Sequence, residues 1–110
     1  METISSYPYS FTIHGETIQL EKNTLRRIDN NGVESRLSLV GDVMGAAVSE
    51  PVDEWAVAVQ YKEGVYVISK KNGWFGPFEK VDAITFDEAR GLSKVKGVLD
   101  GKSGEHPLEK

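Results

Sequence analysis

The sequence predicts an α+β domain in which an antiparallel meander or half-barrel of six to seven strands is covered on one side by one C-terminal helix. Three observations support this fold class. Several short segments alternate polar and apolar residues, as strands with one buried face do. Glycine and asparagine residues between these segments mark tight turns. The last apolar segment has helical spacing and follows a helix-start motif.

The first forty residues predict two β-hairpins in which each strand has one apolar face. The first hairpin turns at His14 and Gly15, and the second turns at Asn31 and Gly32, because these residue types tolerate the positive φ angles of tight turns. The predicted strands cover residues 9–13, 17–20, 24–29 and 33–40.

The middle of the chain predicts a long loop and then a third hairpin. Residues 41–54 contain two glycines, a proline and four acids, a composition typical of a loop. Strands are predicted at residues 55–61 and 65–70, where apolar side chains dominate. The aromatic segment 74–78 is not expected to form a regular central strand, because Pro77 cannot donate a ladder hydrogen bond.

A capping box marks the start of the predicted helix. The Thr85 hydroxyl can accept a hydrogen bond from the Glu88 amide, while the Glu88 carboxylate reaches back to the start of the helix. Gly101 can end the helix, and residues 1–101 are expected to form a single domain with residues 102–110 as a frayed tail. The apolar row of the predicted helix is Ala89, Leu92, Val95 and Leu99.

The composition excludes several kinds of protein. The chain has no cysteine, which removes disulfides, thiolate zinc sites and cysteine nucleophiles, and it fits a reducing compartment. Its first residues have neither the basic nor the apolar region of a secretory signal, and no apolar run approaches the roughly 20 residues of a membrane span. We therefore expect a cytoplasmic protein with no membrane partner.

The negative charge is concentrated in one segment. The net charge is −4, and residues 37–61 hold four acids and no Lys or Arg, while the rest of the chain has 13 acids and 13 bases. Nucleic-acid binding through phosphate neutralisation needs a basic stripe, which this sequence lacks. The charge pattern predicts a basic protein partner and no direct contact with nucleic acid.

No pattern in the sequence predicts catalysis, a cofactor or a metal site. His14 adjoins a predicted turn and His106 lies in the predicted tail, so the two histidines do not form a pair suited to acid–base chemistry or metal binding. The sequence has no nucleophile elbow and no phosphate-binding loop. The prediction is a protein that binds without catalysing a reaction.

Two groups of residues are the candidates for contact with a partner. Glu50, Asp53 and Glu54 form an acidic group in the predicted loop, where carboxylates can face a basic surface. Trp74 and Phe75 are adjacent, so in extended backbone one of them points inward and the other remains exposed as an anchor. The sequence does not decide which of the two is exposed.

In size, acidity, absence of cysteine and absence of catalytic groups, the chain resembles the bacterial immunity proteins that neutralise secreted nuclease toxins. The resemblance is one of general character and rests on no motif. It implies that the acidic group blocks the basic active site of a toxin. Two alternatives remain open. One is a structural or adaptor module, for example of phage origin, that pairs through a sheet edge. The other is an enzyme or small-ligand carrier with a pocket between sheet and helix.

Overall fold

The computed structural model describes residues 2–4, 9–21 and 23–110. Within these residues the chain forms twelve β-strands in three antiparallel sheets and contains no helix. The prediction of an α+β fold with a C-terminal helix is therefore wrong, whereas the prediction of antiparallel β structure is confirmed. The first described strand is β1 (Glu2–Ile4).

The first sheet is a four-stranded meander in which each strand pairs with the next in sequence. Its strands are β2 (Tyr9–Ile13), β3 (Glu16–Glu21), β4 (Thr24–Ile28) and β5 (Glu34–Ser38). The two predicted hairpins are confirmed. At the first turn, both His14 and Gly15 have positive φ angles of 50° and 78°.

The middle sheet has the strand order β1-β6-β7-β8-β9. Its further strands are β6 (Asp42–Ser49), β7 (Glu54–Gln60), β8 (Val65–Ser69) and β9 (Gly73–Phe78). Most of the segment 41–54 is thus strand β6, which has an irregular register between Val43 and Gly45, and a turn follows at residues 50–53. The prediction of a long loop failed because Val43, Ala46 and Ala47 are buried in the sheet, and their apolar character outweighs the nearby glycines.

The aromatic segment is a strand, contrary to expectation, but it lies at the edge of the middle sheet. Val65 pairs with Phe78 and Val67 pairs with Phe75, so Gly76 and Pro77 together lie opposite a single residue of β8. This irregularity in the register is a position where a proline costs no ladder hydrogen bond.

The third sheet replaces the predicted helix. It consists of β10 (Lys80–Asp87), β11 (Leu92–Leu99) and β12 (Lys102–Pro107). The supposed capping box leads into the β10–β11 turn, where the Gly91 amide donates to the Asp87 carbonyl at 2.8 Å and Gly91 has a φ of +67°. Of the apolar row that suggested a helix, Ala89 lies in the β10–β11 turn, and Leu92, Val95 and Leu99 lie in β11, where Val95 pairs with Ile84 across the ladder.

Gly97 shows why this segment is packed as a strand. A β-carbon at Gly97 would lie 2.0 Å from the Lys80 carbonyl oxygen, so the close approach of the two chains requires glycine. The last residues are also ordered, since β12 pairs with β11 and the buried Leu108 donates its amide hydrogen to the Ser93 carbonyl. The expectation of a frayed tail over residues 102–110 is therefore corrected.

Two apolar cores hold the three sheets together. The core between the first and middle sheets includes Ile18, Leu20 and Trp55, and the core between the middle and third sheets includes Phe78 and Val95. Strand β7 contributes to both cores, and six of its seven residues are buried. The middle sheet is thus covered on both faces at β7, while on one face of β8 and β9 the side chains of Tyr66 and Trp74 remain partly exposed.

Candidate functional site

The acidic group predicted to face a partner lies in the turn between β6 and β7 and at the first residue of β7, a segment that we call the acidic turn (residues 50–54). Glu50 is exposed, Asp53 is partly exposed and Glu54 is completely buried. The three side chains therefore do not form a common surface. Glu54 in particular cannot contact a partner, so its assignment to a contact surface is corrected.

Glu54 is held between the middle and third sheets by neutral donors. Its Oε1 accepts hydrogen bonds from the Trp55 and Lys71 amides at 3.1 and 3.2 Å, and its Oε2 accepts one from the Ser93 hydroxyl at 3.2 Å. Burial raises the pKa of the Glu54 carboxyl above its ordinary value, and these hydrogen bonds oppose the rise only in part. The Lys71 ammonium is directed elsewhere, to the carbonyls of Val52 and Gly91.

Asp53 is also engaged inside the protein. The Lys70 ammonium donates a 2.5 Å hydrogen bond to Asp53 Oδ1, and this hydrogen bond holds the pKa of the Asp53 carboxyl below its ordinary value. Asp53 has a φ of +56°, in the left-handed region that Asp tolerates better than most residues. His14 Nε2 lies 3.8 Å from the same carboxylate and 2.8 Å from the Glu50 carbonyl oxygen. Contacts from Lys70, just after β8, and from His14 in the β2–β3 turn therefore hold the acidic turn in place.

The two adjacent aromatic residues of β9 point to opposite faces of the middle sheet, as the sequence predicted. Phe75 packs against the core between the middle and third sheets, with the Lys110 ammonium 5.7 Å from its ring centroid. Trp74 is on the other face and is 36% exposed. The structure thus answers the question that the sequence left open, because Trp74 is the exposed member of the pair.

Trp74 belongs to a cluster of three rings, which we call the aromatic surface (Tyr61, Tyr66 and Trp74). The ring centroids of Tyr61 and Tyr66 are 5.0 Å apart, and those of Tyr61 and Trp74 are 6.1 Å apart. Both tyrosines are half-buried. The tilted geometry and spacing are those of favourable aromatic pairs. Tyr66 and Ile68 share this face because β8 alternates half-buried and buried residues.

Tyr61 and Tyr66 were not among the residues predicted from the sequence to contact a partner. The available signal was the period-two pattern of β8, which places Tyr66 on the same face as Ile68. Tyr61 follows the last residue of β7, and only the pairing of β7, β8 and β9 brings its ring to Trp74. The cluster is a tertiary feature assembled from three consecutive segments of the middle sheet.

The described residues contain no group of three or more His, Asp or Glu side chains that could hold a metal ion. His106 Nε2 lies 3.0 Å from the Lys102 carbonyl oxygen, far along the chain from the His14 contacts in the first sheet and acidic turn. The two histidines thus have separate local contacts. In the described part of the chain, no helix is long and apolar enough to cross a membrane.

Comparison with known proteins adds no relative to this description. No protein-family model matches the chain, and neither a curated protein nor a solved structure matches it. The function proposed below therefore depends on the geometry of this chain alone.

Proposed function

We propose that this protein is a non-catalytic binding protein that contacts a protein partner through the aromatic surface. The observation that carries the proposal is the exposure of Trp74 beside Tyr61 and Tyr66 on the outer strands of the middle sheet. Tryptophan and tyrosine supply large contact areas and one polar group each, and they are enriched among residues that dominate binding energy.

The narrower proposal is that the partner is a basic, nuclease-type toxin and that the protein acts as its immunity protein. The net charge of −4 supports attraction to a basic surface. The local acidic contribution is smaller than the sequence suggested, because Glu54 is buried and Asp53 is paired with Lys70. The exposed Glu50 is the one acid of the turn that keeps an exposed side chain without an ion pair among the described residues. The contact area of Trp74 therefore supports this proposal more strongly than the acidic side chains of the turn do.

Affinity capture from the native host, including the products of adjacent genes, tests the proposal. The tagged protein is compared with Trp74→Ala and with a matched control, Val40→Ala, because Val40 is an apolar side chain that is 90% exposed and lies outside the aromatic surface. We expect Trp74→Ala to weaken binding of a captured partner by about 30-fold, which corresponds to roughly 2 kcal/mol for an anchor residue. Val40→Ala should bind like the unmodified protein. Equal binding by both variants would remove the aromatic surface from the proposal.

A titration of the captured partner at two salt concentrations tests the toxin hypothesis separately. A basic enzyme that is inhibited stoichiometrically, and whose association slows at high salt and with Glu50→Ala, would support an immunity function. A partner without enzymatic activity, bound equally well at both salt concentrations, would support the binding surface and reject the toxin hypothesis.

A second candidate function is an adaptor that pairs through a sheet edge. Strands β5, β9 and β12 each have a strand partner on one side only among the described residues, which leaves edges to which another strand could be added. These edges carry Arg36, Pro77 and Pro107, and charged residues and prolines on edge strands oppose such pairing. Light scattering at increasing protein concentration tests this candidate, because pairing of edges between copies of the chain raises the apparent mass, whereas binding through the aromatic surface requires no self-association.

A further inference from the structure

The middle and third sheets repeat one arrangement of strands, displaced by 38 positions in the sequence. Ala46 pairs with Val57 in the β6–β7 hairpin, and 38 positions later Ile84 pairs with Val95 in the β10–β11 hairpin. The two hairpins share a register irregularity and a turn residue of positive φ, between Val43 and Gly45 and at Asp53 in the first, and between Val81 and Ala83 and at Gly91 in the second. The third sheet is therefore structurally equivalent to strands β6, β7 and β8.

The outer face of the third sheet is polar where the equivalent face of the middle sheet is apolar. Ala58 pairs with Val67 between β7 and β8, and 38 positions later Lys96 pairs with Glu105 between β11 and β12. Ala58 and Val67 are buried against the third sheet, whereas Lys96 and Glu105 are exposed. Stacked repeats end on such a polar face, so we do not expect a further sheet to cover it.

The equivalent edges of the two sheets differ in whether a strand occupies them. Strand β6 pairs on its outer side with β1, where Ala46 pairs with Ile4, whereas β10 pairs only with β11 among the described residues. The part of β10 equivalent to the β1 contact is residues 84–86, which have the sequence Ile-Thr-Phe. This part carries neither the charges nor the prolines that protect edge strands, and its pairing with β11 is regular. The outer edge of β10 is therefore open to a further strand.

An apolar depression lies along this edge. It has a volume of about 130 Å³ and is lined by the β10 residues 81–84 and by Met44, Gly45, Ala46 and Ala58 of the middle sheet. Consecutive strand residues point to opposite faces, so a depression that contacts four in a row follows the edge of the strand. A cavity of about 150 Å³ takes up benzene, so this depression has room for one branched aliphatic side chain.

The depression suits an uncharged side chain. Asp82 is the one charged residue of its lining, and the Lys80 ammonium lies 3.4 Å from the Asp82 carboxylate, so this charge is balanced. Ile84 faces the core between the middle and third sheets. Because directly paired residues share a face, a side chain opposite Ile84 on an added strand would enter the same apolar layer.

The position of β1 favours a single added strand over a second copy of the protein. Strand β10 packs over β6, and β1 lies beside β6, so β1 extends beyond the free edge of β10. Antiparallel pairing of two β10 edges would bring the β1 strands of both copies against each other. An extended segment fits over β1 without this clash.

We propose that the free edge of β10 binds an extended segment of a partner protein, which pairs antiparallel with residues 84–86 and inserts one branched aliphatic side chain, opposite Ile84, into the depression. Backbone hydrogen bonds supply affinity and the depression supplies selectivity, as in other sheets that accept a peptide strand. The inference rests on the adaptor candidate, for which it specifies the edge, and it is separate from the aromatic surface.

The test uses nuclear magnetic resonance of the isotope-labelled full chain, titrated with an acetylated and amidated peptide of sequence KTITVTK. One matched probe replaces the isoleucine with serine. The other keeps all side chains but is N-methylated at its third and fourth residues, because consecutive amides point to opposite sides of a strand and one of them must face β10. We expect saturable shifts at the amides of residues 81–87, about tenfold weaker binding of the serine peptide and no saturable binding of the methylated peptide.

Variants of the protein test the depression. Ala83→Leu fills it, and Ala89→Leu is the matched control because Ala89 is exposed in the β10–β11 turn. Met44→Ser removes apolar lining at a position that is 41% exposed, so it is expected to leave the fold intact. We expect Ala83→Leu to weaken peptide binding about tenfold and Met44→Ser about threefold. Ala89→Leu and Trp74→Ala should bind the peptide like the unmodified protein, which separates this site from the aromatic surface.

Amide spectra first show which variants are folded. Equal binding of the three peptides would overturn the proposal, as would shifts at β5, β9 or β12 in place of β10. Unchanged binding by the folded Met44→Ser and Ala83→Leu variants would also overturn it. Shifts of the β10 amides with protein concentration alone would assign the edge to a second copy and reject the partner segment.

Discussion

The acidic turn and the aromatic surface belong to the same sheet, but they differ in how far their side chains are already used within the protein. Glu54 and Asp53 receive hydrogen bonds from Ser93, Lys70 and backbone amides, which leaves them little capacity for a partner. Trp74 contacts Tyr61 on one side and leaves 36% of its surface in solvent. The carboxylates of the acidic turn are occupied by internal donors, whereas Trp74 lies on the face of the edge strand β9 that the third sheet does not cover.

The largest expected effect concerns the third sheet, which supplies the Ser93 hydroxyl to Glu54. Gly97→Ala places a β-carbon against the Lys80 carbonyl, and we expect a loss of about 3 kcal/mol or more in the free energy of unfolding. A helix would respond oppositely, because alanine is about 1 kcal/mol more favourable than glycine inside a helix. Urea denaturation distinguishes the two. If Gly97→Ala were more stable than the unmodified protein, this segment would not be packed as strand β11, and Ser93 would not be held beside Glu54. The matched control is Gly101→Asn, at a turn position with a φ of +78° and open space around it.

Glu54 itself should be required for stability. Glu54→Ala leaves the Ser93 hydroxyl and two backbone amides without their acceptor, and we expect it to lose about 3 kcal/mol. Glu54→Gln keeps the shape and an acceptor oxygen, so it is the matched control and should lose much less. Chemical denaturation at pH 7 measures both. If Glu54→Ala were as stable as the unmodified protein, the acidic turn would not be held in the way described.

The pH dependence of stability, compared between the unmodified protein and Glu54→Gln, sharpens this test. Burial raises the pKa of Glu54 in the folded protein, so the folded state binds the proton more tightly than the unfolded state does. The resulting stabilisation is present below the ordinary pKa of the carboxyl and is lost as the pH rises through its raised pKa in the folded protein. The stability of the unmodified protein should therefore fall relative to that of Glu54→Gln over this window. If the free energies of unfolding of the two proteins changed in parallel with pH, the Glu54 carboxyl would not have a raised pKa in the folded protein.

The adjacent residues Trp74 and Phe75 of β9 should differ in what their truncation costs, because Phe75 packs against a core and Trp74 is exposed. Phe75→Ala removes a ring from the core between the middle and third sheets, and we expect a loss of about 2 kcal/mol, less than for a completely buried ring. Trp74→Ala should cost under about 1 kcal/mol, because part of its ring is already in water. Thermal and urea unfolding measure both variants. A larger loss for Trp74→Ala than for Phe75→Ala would show that Trp74 is structural.

The smallest expected effect concerns Asp53. Asp53→Asn tolerates the positive φ but loses the charge pair with Lys70, and we expect at most about 1 kcal/mol because the pair is partly screened by solvent. The Lys70 hydrogen bond lowers the pKa of Asp53, so its contribution is present above the ordinary pKa of the carboxyl and is lost as the pH falls through the lowered pKa. The denaturation curves of the unmodified protein and of Asp53→Asn should differ near pH 7 and converge at acidic pH. A stability difference between the two proteins that grew at acidic pH would contradict a lowered pKa of Asp53.

The strands of the first sheet could be predicted because local signals agreed there. Alternating side chains and turn residues with positive φ, such as Gly15 and Gly32, describe the same hairpins. The segment from Thr85 to Leu99 could not be predicted in this way, since Leu92, Val95 and Leu99 suit a helix by spacing. Their β-branched and glycine neighbours suit a strand equally well, and only pairing with Ile84 and with β12 decides between the two.

The candidate surface was predictable only in part. Adjacent aromatic residues in an extended segment must point to opposite faces, so the sequence indicated that one of Trp74 and Phe75 would be exposed. Which one it is depends on the third sheet, which covers the face of Phe75. The burial of Glu54 was not predictable, because its donors come from Lys71 and Ser93, residues 17 and 39 positions away in the chain.

By itself the sequence determined the strands of the first sheet, the strands β7 and β8, the hairpin turns between them and the absence of cysteine, because these follow from residue types and spacings within a few positions. Tertiary structure alone decided that the last segment is a sheet, that Glu54 is internal and that Tyr61, Tyr66 and Trp74 meet. The physical reason is that burial and hydrogen-bond partners are set by segments distant in the chain, and a local pattern carries no information about which segment will cover it.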